Sequence, residues 1–410
     1  MNLDELLEQH PPVELLQKDK LAYVVGLIIW LPLVNDNVKK DNGYVALKSI
    51  KIENTIGRYK RYVRWLEEVG VIECDGSWQK GVVAIGYRIT SNYDQLNLKR
   101  VEFTDKLIVR KLKESSEVAL RDRRKYGYLW KHFKSNKLTI DKDACIETIR
   151  KYRYSDGYLY LIDKIVDRHW KFKISGDGKR LYTNITNLKK DFRRHLRYDG
   201  EALYEIDIKA SQPFLFVKMI CDHLNDEIGR ENVLKLISMV NDENRISEDD
   251  IDAFLKSCEL DLTDVYQYFK WVRMGWIYPV HNSEIKASRG YGWEDDADVK
   301  ESFYRVLFGE WNNWSQEIQV FRKSYPTISR IMQNIKGSDH RQLAIGLQLI
   351  ESNAVLDVVC KRVSDELPDA PLYTIHDSIL TTSEYQHHVS HIMSDELFKI
   401  VGIKPILRLK

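Results

Sequence analysis

The sequence predicts a mixed α+β protein of two or three domains, and three observations carry that expectation. At 410 residues and 43% hydrophobic content, the chain can bury a sizeable core. Residues 44–90 switch between helical and β-like periodicity, and two further β-like runs, Leu203–Ile208 and Leu372–Thr382, lie far apart in the second half. The charge is uneven: a net +2 conceals +1 over residues 1–100, +12 over 101–200 and −11 over 201–410. A basic middle beside an acidic C-terminal half suits a protein that grips phosphates in one place and metal ions in another.

Composition narrows the class. The five cysteines (Cys74, Cys145, Cys221, Cys258, Cys360) have no paired spacing, which argues against a zinc ribbon, a redox motif or a disulfide framework and for a reducing cytoplasm. The apolar stretch Leu21–Val34 is too short to span a bilayer and follows an acidic and polar start; it reads as a buried helix or strand, and no membrane partner is expected. There is no glycine-rich loop of the nucleotide-hydrolase type and no spacing that proposes a Ser/His/Asp or Cys/His triad.

The first element is a helix near Val45–Ile52, followed by a break at Glu53-Asn54. Thr55–Glu68 then carries Ile56, Tyr59, Val63 and Leu66 at helical spacing, and Gly70 can end that helix without steric cost. Val71–Cys74 and Val82–Thr90 read as strands flanking the turn Asp75-Gly76-Ser77. Helix, helix and hairpin is the order of a winged helix-turn-helix, whose second helix exposes Arg58, Lys60, Arg61 and Arg64 to phosphates or base edges. Residues 101–177 read as helical, basic and tyrosine-rich, with Arg121, Arg123, Arg124 and Lys125 clustered, a composition that suits a nucleic-acid groove.

Three segments carry the chemistry. Leu203–Ile208 is rich in β-formers, and an aspartate at the end of a buried strand, here Asp207, is costly unless paired or metal-bound. Leu372–Thr382 reads as a hairpin with the polar triplet His376-Asp377-Ser378 at its tip. Two strand-borne carboxylates, Asp207 and Asp377, could converge on one sheet and hold two Mg2+ ions (or Mn2+) bridged by a nucleoside triphosphate. The third segment is Val299–Gly309: as a helix it places Lys300, Tyr304 and Phe308 on one face, a cation followed by two aromatics that could meet a triphosphate, then a sugar and base.

In this order the three segments resemble motifs A, B and C of the family A polymerases, the group of bacterial repair-type DNA polymerases and single-subunit phage RNA polymerases. The spacing from Lys300 to Gly309 matches the family's fingers helix, and His376-Asp377-Ser378 its motif C turn. Gly178–Asn184 with Thr186-Asn187-Leu188 and Arg193-Arg194 resembles the segment before motif A, and Glu351-Ser-Asn-Ala354 the helix between motifs B and C; the coverage is roughly residues 176–383.

The resemblance implies a right-hand polymerase with palm, fingers and thumb behind an N-terminal winged helix. Its domains would be 1–100 (winged helix), 101–175 (basic, thumb-like) and 176–410 (palm and fingers, the fingers at about 225–338). It implies Asp207, Asp377 and Ile208 as metal-holding positions and Lys300 as triphosphate clamp. Tyr304, Phe308, Ser211 and Gln212 would lie on the nucleotide side, and Arg180, Thr183, Asn184, Arg193, Arg194 and His376 would contact nucleic acid.

Departures from the family pattern bear on substrate. The family's arginine four residues before the fingers lysine is Asp296 here, so triphosphate binding would recruit Arg289 or Arg305. Phe214 stands where DNA polymerases carry a glutamate that helps exclude a 2′-hydroxyl; Ser378 is the phage RNA-polymerase form of motif C, whereas Phe308 lacks the hydroxyl those enzymes use. No acidic cluster of the proofreading type precedes motif A.

The expected function is therefore a compact, template-directed DNA polymerase of a phage or mobile element without proofreading. It would act on a DNA template with a primer or RNA product and on nucleoside triphosphates, with replication-accessory proteins as further partners. A single-subunit RNA polymerase or primase is the alternative enzyme. A DNA-binding replication initiator or regulator with an inactive polymerase fold is the alternative outside catalysis.

Overall fold

The apolar spacing of Ile56, Tyr59, Val63 and Leu66 becomes one buried stripe, packed with Leu21, Val24 and Ile28 of the preceding helix into the core of the N-terminal part of the chain. The computed structural model describes residues 3–34, 38–40, 42–47, 49–77, 84–93, 102–150, 156–242, 245–310 and 315–410. The fold mixes helices and sheets, with helices predominating. The chain divides into two compact units: Met1–Gly127, Thr139–Lys173 and Asn187–His195 form one, and Tyr128–Leu138, Ile174–Thr186 and Leu196–Lys410 the other. Residues 101–175, a single segment in the sequence reading, are shared between them.

In the first unit a helix at Lys18–Val34 precedes the strand Val45–Ala46, helices Ser49–Ile56 and Lys60–Glu68, and strands Ile72–Cys74 and Gly86–Ile89. The last strand is central, pairing antiparallel with both others through Val45↔Tyr87 and Ile72↔Ile89. Two boundaries differ from the sequence reading. Val45–Ala46 is strand rather than the start of a helix because it finds a ladder partner 40 residues away, and the continuous helix from Thr55 breaks at Gly57 before restarting at Lys60. The expected strand from Val82 begins at Gly86, and residues 78–83 lie outside the described residues. The turn is held by Asp75, whose carboxylate accepts from the backbone N–H of Ser77 (3.1 Å) and Gly86 (2.9 Å) and pairs with Lys40 (2.6 Å).

The second unit is built on an antiparallel sheet whose long central strand is Glu201–Ile208. On one side it pairs with Ser378–Thr382, which pairs in turn with Tyr373–Ile375; on the other it takes Leu196–Tyr198 at its start and Leu407–Leu409 at its end. The first hairpin turns through Asp199-Gly200, both at positive φ, the loop chemistry that matches strand twist. Every residue of Ser378–Thr382 is buried, so this strand has no solvent face. Helix Ser211–Ile228 leaves the central strand through Ala210 and buries Phe214, Leu215, Phe216, Val217, Ile220 and Leu224. Arg341–Glu366 runs as one long helix, with a π-helical stretch at Asn353–Cys360 directly after Glu351 and Ser352. It is long and apolar enough to cross a bilayer, and Leu343, Leu347, Val355, Val359 and Val363 bury its apolar face within this unit.

Candidate active site

Asp207 lies on the central strand and Asp377 in the two-residue turn of the neighbouring hairpin, and the register places Ser378 directly opposite Asp207. Directly opposed residues in such a ladder have Cα atoms about 4.5–5.5 Å apart, so carboxylates 170 residues apart in sequence become neighbours. Burial lifts the Asp377 carboxyl above the ordinary aspartate range; a hydrogen bond with Ser211 opposes this, the charge of Asp207 adds to it, and that of Lys300 opposes it. Those same contributions report which groups converge on Asp377: Ser211, Asp207 and Lys300.

The backbone around the site is held in sparsely populated geometry. Among the described residues six non-glycine positions have positive φ, and three of them flank the charged groups: Lys179 before Arg180, Ala210 after the Asp207 strand, and His376 before Asp377. Each such residue costs on the order of 1–2 kcal/mol and persists only where its surroundings over-determine it. His376 is also packed edge-on against Tyr182, with ring centroids 5.5 Å apart.

A second charged group stands beside Asp377. Glu351, 1% exposed, accepts a bidentate pair from Arg180 (Nε to Oε1 and Nη2 to Oε2, both 2.7 Å) and a third bond from Gln212 Nε2 at 2.7 Å. Burial lifts its carboxyl above the usual range although Arg180 opposes this, and the charge of Asp377 contributes in the same upward direction. The Gly178 carbonyl accepts from Ser352 Oγ at 2.5 Å, tying the Arg180 segment to the same helix. Arg180 and Gln212, expected to face nucleic acid and nucleotide, are thus engaged with Glu351. Sequence reasoning placed Glu351 in a motif but gave it no role, although a lone acid in the apolar run Leu343–Leu356 was a visible signal.

On the other flank of Asp207, Leu407–Leu409 brings Lys410 Nζ to 2.5 Å from Asp207 Oδ2 and 3.6 Å from Glu205 Oε1. Nothing in the sequence marked Lys410, because only the long-range register places it there. Ile208 is 2% exposed, so only its main-chain carbonyl could serve an ion.

The helix Asp296–Phe308 presents the stack read from its spacing: Lys300 Nζ lies 5.3 Å from the Tyr304 ring centroid, and the Tyr304 and Phe308 rings are 5.3 Å apart. Its opposite face buries Val299, Phe303, Val306 and Leu307, and Lys336 donates to the carbonyls of Val306 (3.0 Å) and Gly309 (2.8 Å) at its end. Asp296, in the place of the family's arginine, sits in the first turn, where the helix dipole favours an acid. Tyr278 packs edge-on against Phe303 of this helix, ring centroids 5.4 Å apart; burial raises its hydroxyl pKa far above the normal value, and Tyr304 and Asp377 add to that rise.

Other expected site residues lie elsewhere. Arg305 pairs with Glu301 (3.0 Å) and Glu317 (3.5 Å), and Arg289 stacks on Tyr291 and Trp293 at 4.2 and 4.7 Å, so neither has Asp207 or Asp377 among its described partners. Thr183 closes its own turn, its Oγ1 accepting from the N–H of Ile185 at 3.2 Å while its carbonyl accepts from Thr186 Oγ1 at 2.8 Å; Asn184 is buried beside it. Arg193 and Arg194 belong to the other unit, where Arg193 donates to the Leu188 carbonyl at 2.9 Å. So do Arg58, Lys60, Arg61 and Arg64: Arg58, Lys60 and Arg64 are exposed, and Arg61 lies over the Tyr62 ring at 4.9 Å.

Oxygen donors from two neighbouring, half-buried aspartates, one of them destabilised by the other's charge, form a donor set that a hard divalent cation fits. Among the described residues there is no group of three or more His, Cys, Asp or Glu arranged to hold a metal, so such an ion would depend on these two carboxylates, water and substrate oxygens.

No family model matches the chain, and no curated protein matches it. Among solved structures it is similar to the POL domain of Pol1 from M. smegmatis in complex with DNA primer-template and dNTP, with 8% sequence identity and a TM-score of 0.32. The match covers 61% of this chain and 48% of that one, so the chain spans about half the length of the polymerase it is similar to.

Proposed function

We propose that the second unit is a template-directed nucleotidyltransferase of the DNA-polymerase kind, with Asp207 and Asp377 as its metal-holding carboxylates. The observation that carries this reading is the ladder pairing of Asp207 with Ser378, which sets both carboxylates at one end of a sheet within the field of Lys300. Bound magnesium ions would acidify the attacking 3′-hydroxyl and neutralise charge on the leaving pyrophosphate. The chain's own contribution is positioning and charge. Ser211 and the His376 turn fix Asp377, Lys300 offers a cation to a triphosphate, and Tyr304 with Phe308 offers a surface for sugar and base. Lys410 pairs with Asp207 from the end of the neighbouring strand. The Arg180–Glu351–Gln212 group supports the site as a rigid buried brace.

The first unit would supply DNA attachment. Its order of helix, strand, two helices and two strands, with the last strand central, supports the winged-helix reading, and Lys60 and Arg64 project from the exposed face of its second short helix.

The test is extension of a labelled primer on a DNA template with magnesium, comparing dNTPs with NTPs and including Asp207→Ala and Asp377→Ala. Primer-dependent dNTP incorporation lost by about 100- to 1,000-fold in both variants, the range for removing one group that stabilises transition-state charge, is the expected result. Primer-free NTP incorporation would move the assignment to a primase or RNA polymerase. Absence of incorporation with duplex binding retained would leave DNA binding as the function.

A further inference from the structure

Two indoles, one of them half-open to solvent, stand beside the Asp207 strand, and the turn that carries them explains their geometry but not their size. Helix Thr263–Arg273 ends through Gly275 at φ +70°, with Gly275 N–H donating to the Val272 carbonyl (3.0 Å) and Trp276 N–H to the Trp271 carbonyl (2.8 Å). This is a Schellman end, which is usually completed by an apolar contact between the residues that here are Trp271 and Trp276. Any aliphatic pair would complete it. Instead the two rings lie parallel, 3° apart in plane with centroids at 6.3 Å, and Trp276 remains 52% exposed.

Cations surround the pair. Lys270 Nζ lies 5.7 Å from the Trp271 ring, and Lys209 is packed so closely on the turn that a Cβ on Gly275 would meet its Nζ at 2.7 Å. Lys209 is two residues beyond Asp207, no more than about 7 Å of chain. A rigid, flat, exposed aromatic platform flanked by ammonium groups matches the chemistry of an unpaired nucleotide: a base to stack and a phosphate to neutralise.

We propose that Trp276, backed by Trp271 and flanked by Lys209 and Lys270, is a stacking site for an unpaired base of the template strand. Single-strand binding follows from the platform itself. Its assignment to the template rests on the nucleotidyltransferase reading, in which the template is the strand that reaches Asp207 unpaired.

The experiment measures binding of the full chain, without nucleotide or metal, to three fluorescent probes: a 15-nucleotide single-stranded DNA, a duplex with a 5′ single-stranded template overhang, and a blunt duplex. Trp276→Ala is expected to weaken the first two by about tenfold or more, the range of one base–aromatic stack, and to leave the blunt duplex unchanged. Trp276→Phe should recover most of the loss, which separates stacking from damage to the helix end. Unchanged single-strand affinity, or equal loss on the blunt duplex, overturns the site; loss on the single strand but not on the overhang overturns its assignment to the template. Since no catalysis is read, failure of primer extension and failure of this platform are distinguishable.

Discussion

The short helix Lys60–Glu68 and the Asp207–Asp377 site both gather charge, but they hold it in opposite ways. Lys60 and Arg64 stand in solvent, and their neighbour Arg61 meets the Tyr62 hydroxyl at 3.0 Å and Glu14 at 3.9 Å. Arg180 is clamped on a carboxylate that is 1% exposed, and Asp377 is half-buried, with Ser211, Asp207 and Lys300 acting on it. The exposed cations are interchangeable points in a screened field, suited to attracting phosphate without fixing its position. The buried charges cannot be exchanged, since each has desolvation to offset and a specific partner that offsets it.

That contrast is broken most severely by removing one buried partner. Arg180→Ala leaves Glu351 without its bidentate cation, and we expect about 3–5 kcal/mol of lost stability in urea denaturation. Pairing the change with Glu351→Gln should return much of it; a loss below about 1 kcal/mol would show that the brace is dispensable.

Next comes His281, fully buried against Phe303 and Phe321 (ring centroids at 5.1 and 6.3 Å), with no hydrogen-bond partner for either ring nitrogen among the described residues. Burial depresses its pKa from 6.5 to about 4. The folded state thus binds its proton less readily than the unfolded state, so the group adds no pH-dependent cost above pH 6.5 and stability is lost as pH falls from 6.5 to 4. At about 1.4 kcal/mol per tenfold change in acidity, the loss amounts to about 3 kcal/mol at the acid end. Chemical denaturation of His281→Phe across that range should show a flatter profile; a slope identical to the parent's would rule the histidine out as its source.

The smallest effect sharpens the other side. Lys60→Ala and Arg64→Ala should change stability by less than about 0.5 kcal/mol. Each should also lower the salt dependence of duplex binding by about one phosphate contact. A large stability loss would mean that these side chains are structural after all.

How legible the molecule was in its sequence follows the same division between local and remote. The Lys300–Tyr304–Phe308 stack and the hairpin with Asp377 in its turn could be read because helical period and strand alternation are local. The Val45–Ala46 strand could not, since its ladder partners Gly86 and Tyr87 decide it from 40 residues away against a stretch that looks helical. Nor could Glu351 as the partner of Arg180 and Gln212, or Lys410 as the partner of Asp207, because 171, 139 and 203 residues separate them. Ser211 and Gln212 were singled out from the sequence, but which groups they touch depends on where three separate segments meet.

The span of chain between Asp207 and Asp377 has a consequence for how the protein comes into being. Joining two strands across 170 residues carries one of the larger loop-closure entropies in the molecule, and contacts of such separation form late and slowly. Helices from Ser211–Ile228 to Lys361–Glu366 lie within that loop, and their local contacts form faster than the remote pairing that brings the carboxylates together. The pair is therefore a marker of completed assembly: a partly folded chain would have its helices and its hydrophobic surfaces but not the two carboxylates side by side.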